Sequence, residues 1–467
     1  MPSIWFFLSI SLSFNFFLNF HIYSDYTLIK DLPYNKLFFE GMTSIRFGDF
    51  YNLYFHITSE NTLLKVNGNM LTSPLVYLII NLFPVDIQYT SIKCTEVQTQ
   101  YLSCISDLPI YIWDYADCLG IFNYGLCMKE ARDNIMLNNI DKVYIFFGLF
   151  STLILFSKFI ILRRISTFIV TILLIITFFT SYPFLFTFDR GNTIIASYTF
   201  FCLFEVVRNR NKYLEFLFGA LSISLKYYAL PLFTKFIINM RNGKKILFFS
   251  ALGFIIFSSV YYFKDSALLS LQYFLDFLLN LKNYGFYSKN ELANFNVSFS
   301  SIFTSISYLV KYYDWSLVFQ ENNNFIAINK FINFITQVIT KKTNNIFSLV
   351  FIAYVIRFIS KNLDLKHNEL IIAAMIGLLI ASPHSPYYWS LFLFLPACIY
   401  MIQNPDKKLI AILFALFFSF KNFLLSVEIN PVHNLRYINF DSAINAVILI
   451  SIFYLIFKSR IFNYRLN

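Results

Sequence analysis

Apolar runs of nearly membrane-spanning length recur from Trp5 to Phe457, and the short turns between them are studded with Lys and Arg. A helix needs about 20 apolar residues to cross the roughly 30 Å hydrocarbon core of a bilayer. In hydrocarbon every backbone N–H and C=O must be satisfied within the protein, which leaves helices as the natural form for such runs. The chain is 57% hydrophobic and only 13% charged, whereas a soluble protein carries about 25% charged residues. A soluble core of that apolarity would leave large sticky patches on its surface. The expected fold class is therefore an all-α polytopic membrane protein. The net charge of +11 falls in short loops, as the positive-inside pattern requires, and so does not call for nucleic acid as a partner.

Taking the first run, Trp5 to Phe20, as a retained helix with its amino end in the cytoplasm orders the rest. It has neither a basic leader nor a small-x-small cleavage site. Spans then fall at about Val143–Leu162, Ile165–Pro183 and Asn192–Val207, and the basic turns Arg163-Arg164 and Arg208–Lys212 land inside. The run Tyr213–Met240 has basic residues at both ends and is too short for two full crossings. It reads as a helical hairpin turning near Lys226 to Pro231, or else as a kinked pair of tilted helices. Further spans are expected at about Ile246–Phe263, Ile346–Ile359, Glu369–Ala381, Tyr388–Ile402, Leu409–Leu425 and Ala443–Phe457. That makes about ten spans plus the hairpin, in one integral membrane domain covering residues 1–467, with both termini cytoplasmic.

Two long polar and aromatic segments, residues 21–141 and 264–345, are expected outside, with interfacial helices in each. In the second, Ser300–Val310 and Phe325–Ile339 are apolar enough to lie on the membrane surface. Cys94, Cys104, Cys118 and Cys127 fall in the first. An even number of cysteines in an oxidising compartment suits one or two disulfides, with three pairings open, and free thiols are the alternative. Cys202 and Cys398 fall in spans and read as packing residues. No internal repeat is visible.

Polar residues gather at the external turns. Gly48–Ile57 places Asp49, Asn52 and His56 at helical spacing, opposite Phe50, Leu53 and Ile57. Asp49 is there either a carboxylate turned toward the protein or one of several solvated loop acids. Arg190 and Asn192 stand at the start of the fourth span, and Lys226 at the hairpin turn. Asn296 and Ser298 lie in the second long segment, where Asn296-Val297-Ser298 also fits the glycosylation triplet. His384 lies in the turn Ser382–Tyr388. Each has a bland account: Arg190 can snorkel, Lys226 can pair with a loop acid, and a turn histidine is usually satisfied locally. Together they would set one carboxylate and two or three cations around an external vestibule. Cations at that depth suit a lipid phosphate, which arginine grips with two parallel hydrogen bonds.

These elements, in this order, resemble the GT-C membrane glycosyltransferases, specifically the family 87 type. Members carry an Asp-Phe followed by tyrosines after the first span, as Gly48-Asp49-Phe50-Tyr51 does here. A Tyr-Pro-Pro-Leu element corresponds to Thr72-Ser73-Pro74-Leu75, with one proline fewer, and a Gly-Gln-x-Asn turn to Gly191-Asn192-Thr193, without the glutamine. A basic turn, a Gly-Ala helix and Lys-x-x-Pro correspond to Arg208–Lys212, Gly219-Ala220 and Lys226 to Pro231, with the proline displaced. An Asn-x-Ser element and a late Ser-Pro turn with histidine match Asn296–Ser298 and Ser382–Tyr388.

The resemblance implies a GT-C-like fold and a hexosyltransferase of the cell envelope, mannosyltransferase-like. It would use a polyprenyl-phosphate sugar as donor and a glycan or glycolipid as acceptor, in the bacterial inner membrane. It implies Asp49 as general base, and Arg190, Asn192, Lys226, His384, Asn296 and Ser298 as substrate-binding residues. No nucleotide-binding motif and no acidic metal cluster stands in the sequence, so neither a nucleotide sugar nor a metal or other cofactor is expected. The competing classes are a transporter or flippase of lipid-linked sugars and a polysaccharide polymerase. A transporter should show repeated halves and polar residues at mid-span, whereas here they gather at the turns.

Overall fold

The computed structural model describes residues 2–25, 148, 150–151, 154, 168–190, 192–264, 297–299, 301–303, 346–382, 387–419, 424–428, 435–439 and 441–463. The four loop cysteines, Asp49, Asn296, His384 and most of the second expected span lie outside the described residues. The described part is helical apart from one short ribbon. In chain order it comprises α1 (Pro2–Asp25), α2 (Phe168–Thr180), α3 (Tyr182–Arg190), α4 (Ile194–Val207), α5 (Lys212–Leu225), a 3-10 turn (Tyr227–Phe233), α6 (Thr234–Asn239) and α7 (Asn242–Lys264). After these come α8 (residues 346–361), α9 (His367–Ala381), a second 3-10 turn (Tyr387–Ser390), α10 (Leu391–Gln403), α11 (Lys408–Phe418) and α12 (Asp441–Asn463).

The antiparallel pair α4–α5 organises the bundle. Its turn is built by local chemistry. Asn209 adopts φ 63°, a left-handed conformation that asparagine tolerates better than most residues, and the Glu215 carboxylate accepts its N–H. Asn211 caps α5, its side-chain oxygen accepting from the N–H groups of Tyr213 (3.0 Å) and Leu214 (3.2 Å). Such a cap is worth about 1 kcal/mol. Three turns up, the fully buried Ser197 and Ser222 lock the pair. Each hydroxyl donates to the other residue's carbonyl, at 2.7 and 2.9 Å. Hydroxyl bonds of this kind between apolar helices are worth about 0.6 kcal/mol each, and the two together hold one register.

Aromatic rings fill the seams. Phe178 of α2 stacks on Tyr198 of α4 at 5.6 Å and meets Phe394 of α10 edge-on at 5.1 Å. Phe7 of α1 meets Phe394 and Phe418 edge-on, and Phe204 of α4 meets Phe233 at 4.8 Å. Each such pair adds about 0.5–1.5 kcal/mol to the burial of its area. The abundance of Phe is thus spent on helix contacts.

The basic turns meet at one end of the bundle. Lys235 donates to the Leu365 carbonyl. Glu205, near the end of α4, accepts from His367 Nε2 at 2.6 Å and from Arg208 at 3.4 Å. Arg460 of α12 reaches Asn362 and both oxygens of Asp364. Ser3 donates through its N–H and its hydroxyl to the Pro405 carbonyl, at 3.1 and 2.7 Å. The chain therefore leaves this end through α5 and has returned to it by Lys235, as the hairpin reading of residues 213–240 expects. The break between the two arms falls at Lys226 and the 3-10 turn containing Pro231.

Two expectations are corrected. The third helix does not end at Pro183. It breaks at Ser181, whose hydroxyl donates to the Phe178 carbonyl at 2.7 Å, and α3 then runs on to Arg190 with Pro183 in its first turn, where a missing N–H costs nothing. The run expected at Leu409–Leu425 stops at Phe418. Leu424–Glu428 instead pairs antiparallel with Leu435–Asn439, Ser426 opposite Tyr437, so the fold is not purely α. A polar break at Ser419-Phe420-Lys421-Asn422 and the turn-forming Asn430-Pro431 explain the change of structure. Among the described residues one helix, Ser442–Ile461, is long and apolar enough to cross a membrane by length and composition. Helices α9, α10 and α11 hold 15, 13 and 11 residues, roughly 22, 20 and 17 Å at 1.5 Å per residue, each short of a full crossing.

Candidate functional site

The end of the bundle opposite the basic turns collects the predicted site residues that the structure describes. The α4–α5 register brings two of them together. Ser197 faces Ser222, so one helical turn farther along Thr193 and Lys226 stand at the same level. Lys226 closes α5 in an extended conformation, its N–H donating to the Ser222 carbonyl at 3.1 Å and its own carbonyl accepting from Ala229 at 2.9 Å. It is only 6% exposed, a placement at which an ammonium group needs polar company.

Asn192 is buried in the link between α3 and α4. Its N–H donates to the Thr187 carbonyl and its side-chain oxygen accepts from the Ile194 N–H, both at 3.0 Å. That oxygen starts α4, a structural duty the sequence reading had not assigned. Arg190 is the last residue of α3, directly before this link.

The late turn closes in from the other side. The Tyr387–Ser390 turn packs against α3 and leads into α10. Trp389 stacks on Tyr228, ring centroids 4.2 Å apart and planes at 21°. Both rings are buried, and the stack joins the Lys226 turn to the Tyr387–Ser390 turn. The hydroxyls of Thr193, Ser224 and Ser390 are buried at this end and make no hydrogen bond to the described residues. A buried hydroxyl left without a partner costs about 1–3 kcal/mol, and Ser11, Thr177 and Tyr198 present others within the helices.

Ser298 lies at the same end. Phe299 packs on Phe347 and Phe351, at the start of α8, while the far end of α8 leads to the Asp364–Arg460 pair. Ser298 is buried and accepts from the Ser301 hydroxyl at 2.6 Å, opening a short helical turn. A buried serine there does not suit a glycosylation triplet, which needs surface exposure.

The structure thus gathers Asn192 and Lys226 at one end of the bundle, with Ser298 at the same end and Arg190 next in the chain. The placements of Asp49, Asn296 and His384 lie outside the described residues. Sequence reasoning missed Thr193, Ser224, Trp389 and Ser390. Trp389 alone left a signal, an aromatic run Tyr387-Tyr388-Trp389 directly after the Pro-rich turn. Among the described residues no three His, Cys, Asp or Glu side chains are grouped to hold a metal ion. No family model, no curated protein and no solved structure matches the chain.

Proposed function

We propose that the chain is a multi-pass membrane glycosyltransferase that moves a hexose from a polyprenyl-phosphate sugar to a lipid or glycan acceptor on the non-cytoplasmic side. The observation that carries the reading is Lys226, a buried cation level with Thr193 and at the same end as three unpaired buried hydroxyls, opposite the end where the basic turns meet. A phosphate-bearing sugar would bring negative charge beside this buried ammonium and oxygens that hydroxyls bind. Ser3 and Arg460 both lie at the basic end, which supports cytoplasmic termini and a site facing the other leaflet. The exposed apolar residues of α7 and α8, Ile246, Phe254, Leu349 and Ile356 among them, suit contact with lipid.

The reaction is an inverting displacement. The acceptor oxygen bonds to the anomeric carbon as the bond from that carbon to the phosphate oxygen breaks, and the acceptor's proton passes to the Asp49 carboxylate. General-base help of this kind is worth about 10²–10⁴-fold. The polyprenyl phosphate leaves as an anion, so no general acid is required. Lys226, with Arg190 and His384, holds the charge that grows on it. Asn192, Asn296 and Ser298 orient the donor, Asn192 by fixing the start of α4.

Membranes containing the protein, incubated with a panel of radiolabelled polyprenyl-phosphate sugars, should transfer label from one donor to lipid or glycan. Asp49→Asn should abolish that transfer while leaving donor binding nearly intact. Normal turnover in Asp49→Asn, together with loss in Asp25→Asn, would move the base to the other carboxylate. Absence of transfer from every donor, in membranes that hold folded protein, would remove the enzymatic reading.

A further inference from the structure

The basic end carries a second feature that the sugar-transfer reading does not use. Helices α5 and α7 both start there and run side by side in the same direction. Their contact includes Phe216 against Phe248, ring centroids 5.1 Å apart, and Gly219, whose added Cβ would sit 3.6 Å from the Phe248 ring. Lys212 and Lys244 each precede that ring pair by four residues, about one turn, so they stand at one level. Arg210, Arg241 and Lys245 flank them. Four of these five cations are exposed and Lys245 is half-buried.

None of the five pairs with a described carboxylate. The nearby acids are turned inward, Glu205 to His367 and Arg208, and Glu215 to the Asn209 N–H. Lys212, Lys244 and Lys245 also occupy the first turns of their helices, the end where the helix dipole disfavours cations. Folding alone therefore gives no reason for this cluster. Five cations set around two neighbouring helix starts form a strong positive field.

An apolar band begins within a turn of these charges. Tyr213 is 89% exposed and Ile246 69%, with Leu214, Leu217, Leu247 and Phe249 also exposed. An RNA or an acidic polypeptide would match the charges and leave this band in water. A leaflet of anionic lipid matches both, headgroups on the cations and acyl chains on the band.

We propose that Arg210, Lys212, Arg241, Lys244 and Lys245 form a docking site for anionic phospholipid headgroups on the leaflet at this end. The proposal rests on the membrane reading and not on the sugar chemistry. Full-length protein, extracted and exchanged into detergent with equimolar phosphatidylglycerol and phosphatidylcholine, should keep phosphatidylglycerol in excess of about ten-fold after gel filtration. Replacing all five cations with Gln should bring that ratio to near one, and so should 1 M salt, whose screening length is about 3 Å. The smaller variant Lys212→Glu/Lys244→Glu should cut it by at least about five-fold, and stands in if the five-site variant does not fold. Lys407→Gln/Lys458→Gln, which removes exposed charge elsewhere on the chain, should leave it unchanged.

Equal retention of the two lipids by the wild type, or an equal drop in the Lys407/Lys458 control, would overturn the site. So would co-purification of RNA in place of lipid. Release of the wild-type protein from membranes by alkaline carbonate would instead sink the membrane reading itself, a result separable from loss of lipid preference in a protein that stays in the membrane.

Discussion

Gly377→Ala tests a close approach between α8 and α9. A Cβ at Gly377 of α9 would lie 2.7 Å from Val355 Cγ1 and 3.3 Å from both Val355 Cβ and Cγ2. Carbon atoms rest at about 3.5–4.0 Å, so the new methyl lacks roughly 1 Å of room. Val355 cannot rotate clear, because its Cβ is itself too close and valine in a helix keeps one χ1 well. The helices must part. Overpacking of this kind costs about 1–3 kcal/mol, against which alanine returns up to ~1 kcal/mol in helix propensity. The expected net loss is about 1–2 kcal/mol, read as a lower midpoint in unfolding by SDS or heat in detergent. Val355→Ala alone opens a cavity and also destabilises, but in the double variant each change offsets the other, giving a favourable coupling of about 1 kcal/mol or more. The consequence reaches the site, because α8 starts beside the Ser298 turn and α9 ends at Ala381, shortly before the Tyr387–Ser390 turn. Sugar-transfer activity should fall in Gly377→Ala and recover in the double variant. A Gly377→Ala protein as stable as the wild type, or strict additivity in the cycle, would show that α8 and α9 do not approach this closely.

Three further outcomes follow from particular contacts. Glu205→Ala strips the acceptor from His367 and Arg208 and should cost about 3 kcal/mol, while Glu205→Gln, which keeps an oxygen for His367, should cost clearly less; equal losses in thermal unfolding would refute the pairing. Asn209→Ala should destabilise by about 1–2 kcal/mol at the left-handed position and Asn209→Gly by little or nothing, in the same assay. Arg460 bonds to Asp364 and holds its carboxyl below the usual carboxylate range; the contribution is present above the unfolded value of about 3.9 and is lost as pH falls through the depressed folded value. The stability difference between wild type and Arg460→Gln should thus be flat near neutrality, vanish in acid and shrink in salt, and a difference that grows in acid would contradict it.

What the sequence made legible was set by local pattern. The turn at Arg208–Lys212 shows itself as a polar interruption between apolar runs, and the helices beside it form where periodicity and capping agree, Asn211 with α5 being the clearest instance. The hairpin over residues 213–240 was readable because basic residues bracket a run too short for two crossings, and the return of Lys235 to Leu365 matches that reading. The break at Ser181 was not readable. Proline marks a helix end and a helix start equally well, and only the packing of α3 against the Tyr387–Ser390 turn favours the second. The ribbon was hidden for a similar reason: Leu424 and Leu425 extend an apolar run by composition, while their strand pairing depends on Leu435–Asn439 coming back alongside.

At the candidate site the same division decides which residues could be found. Lys226 was visible because a cation inside an apolar run is costly and therefore conspicuous. Thr193, Ser224 and Ser390 are small hydroxyl residues that helices accept anywhere, and their interest arises only from burial without a partner. Asn192 shows the converse case. A polar residue at the mouth of a helix reads as a ligand, yet its side-chain oxygen is held by the Ile194 N–H. Removing that bond would loosen the start of α4, and with it Thr193, which stands level with Lys226. A substitution at Asn192 would therefore lower donor affinity without Asn192 touching the donor, and the two roles separate by rescue. Asp, which can cap but not donate, should restore stability in either case, and should restore donor affinity only if Asn192 acts through the helix start.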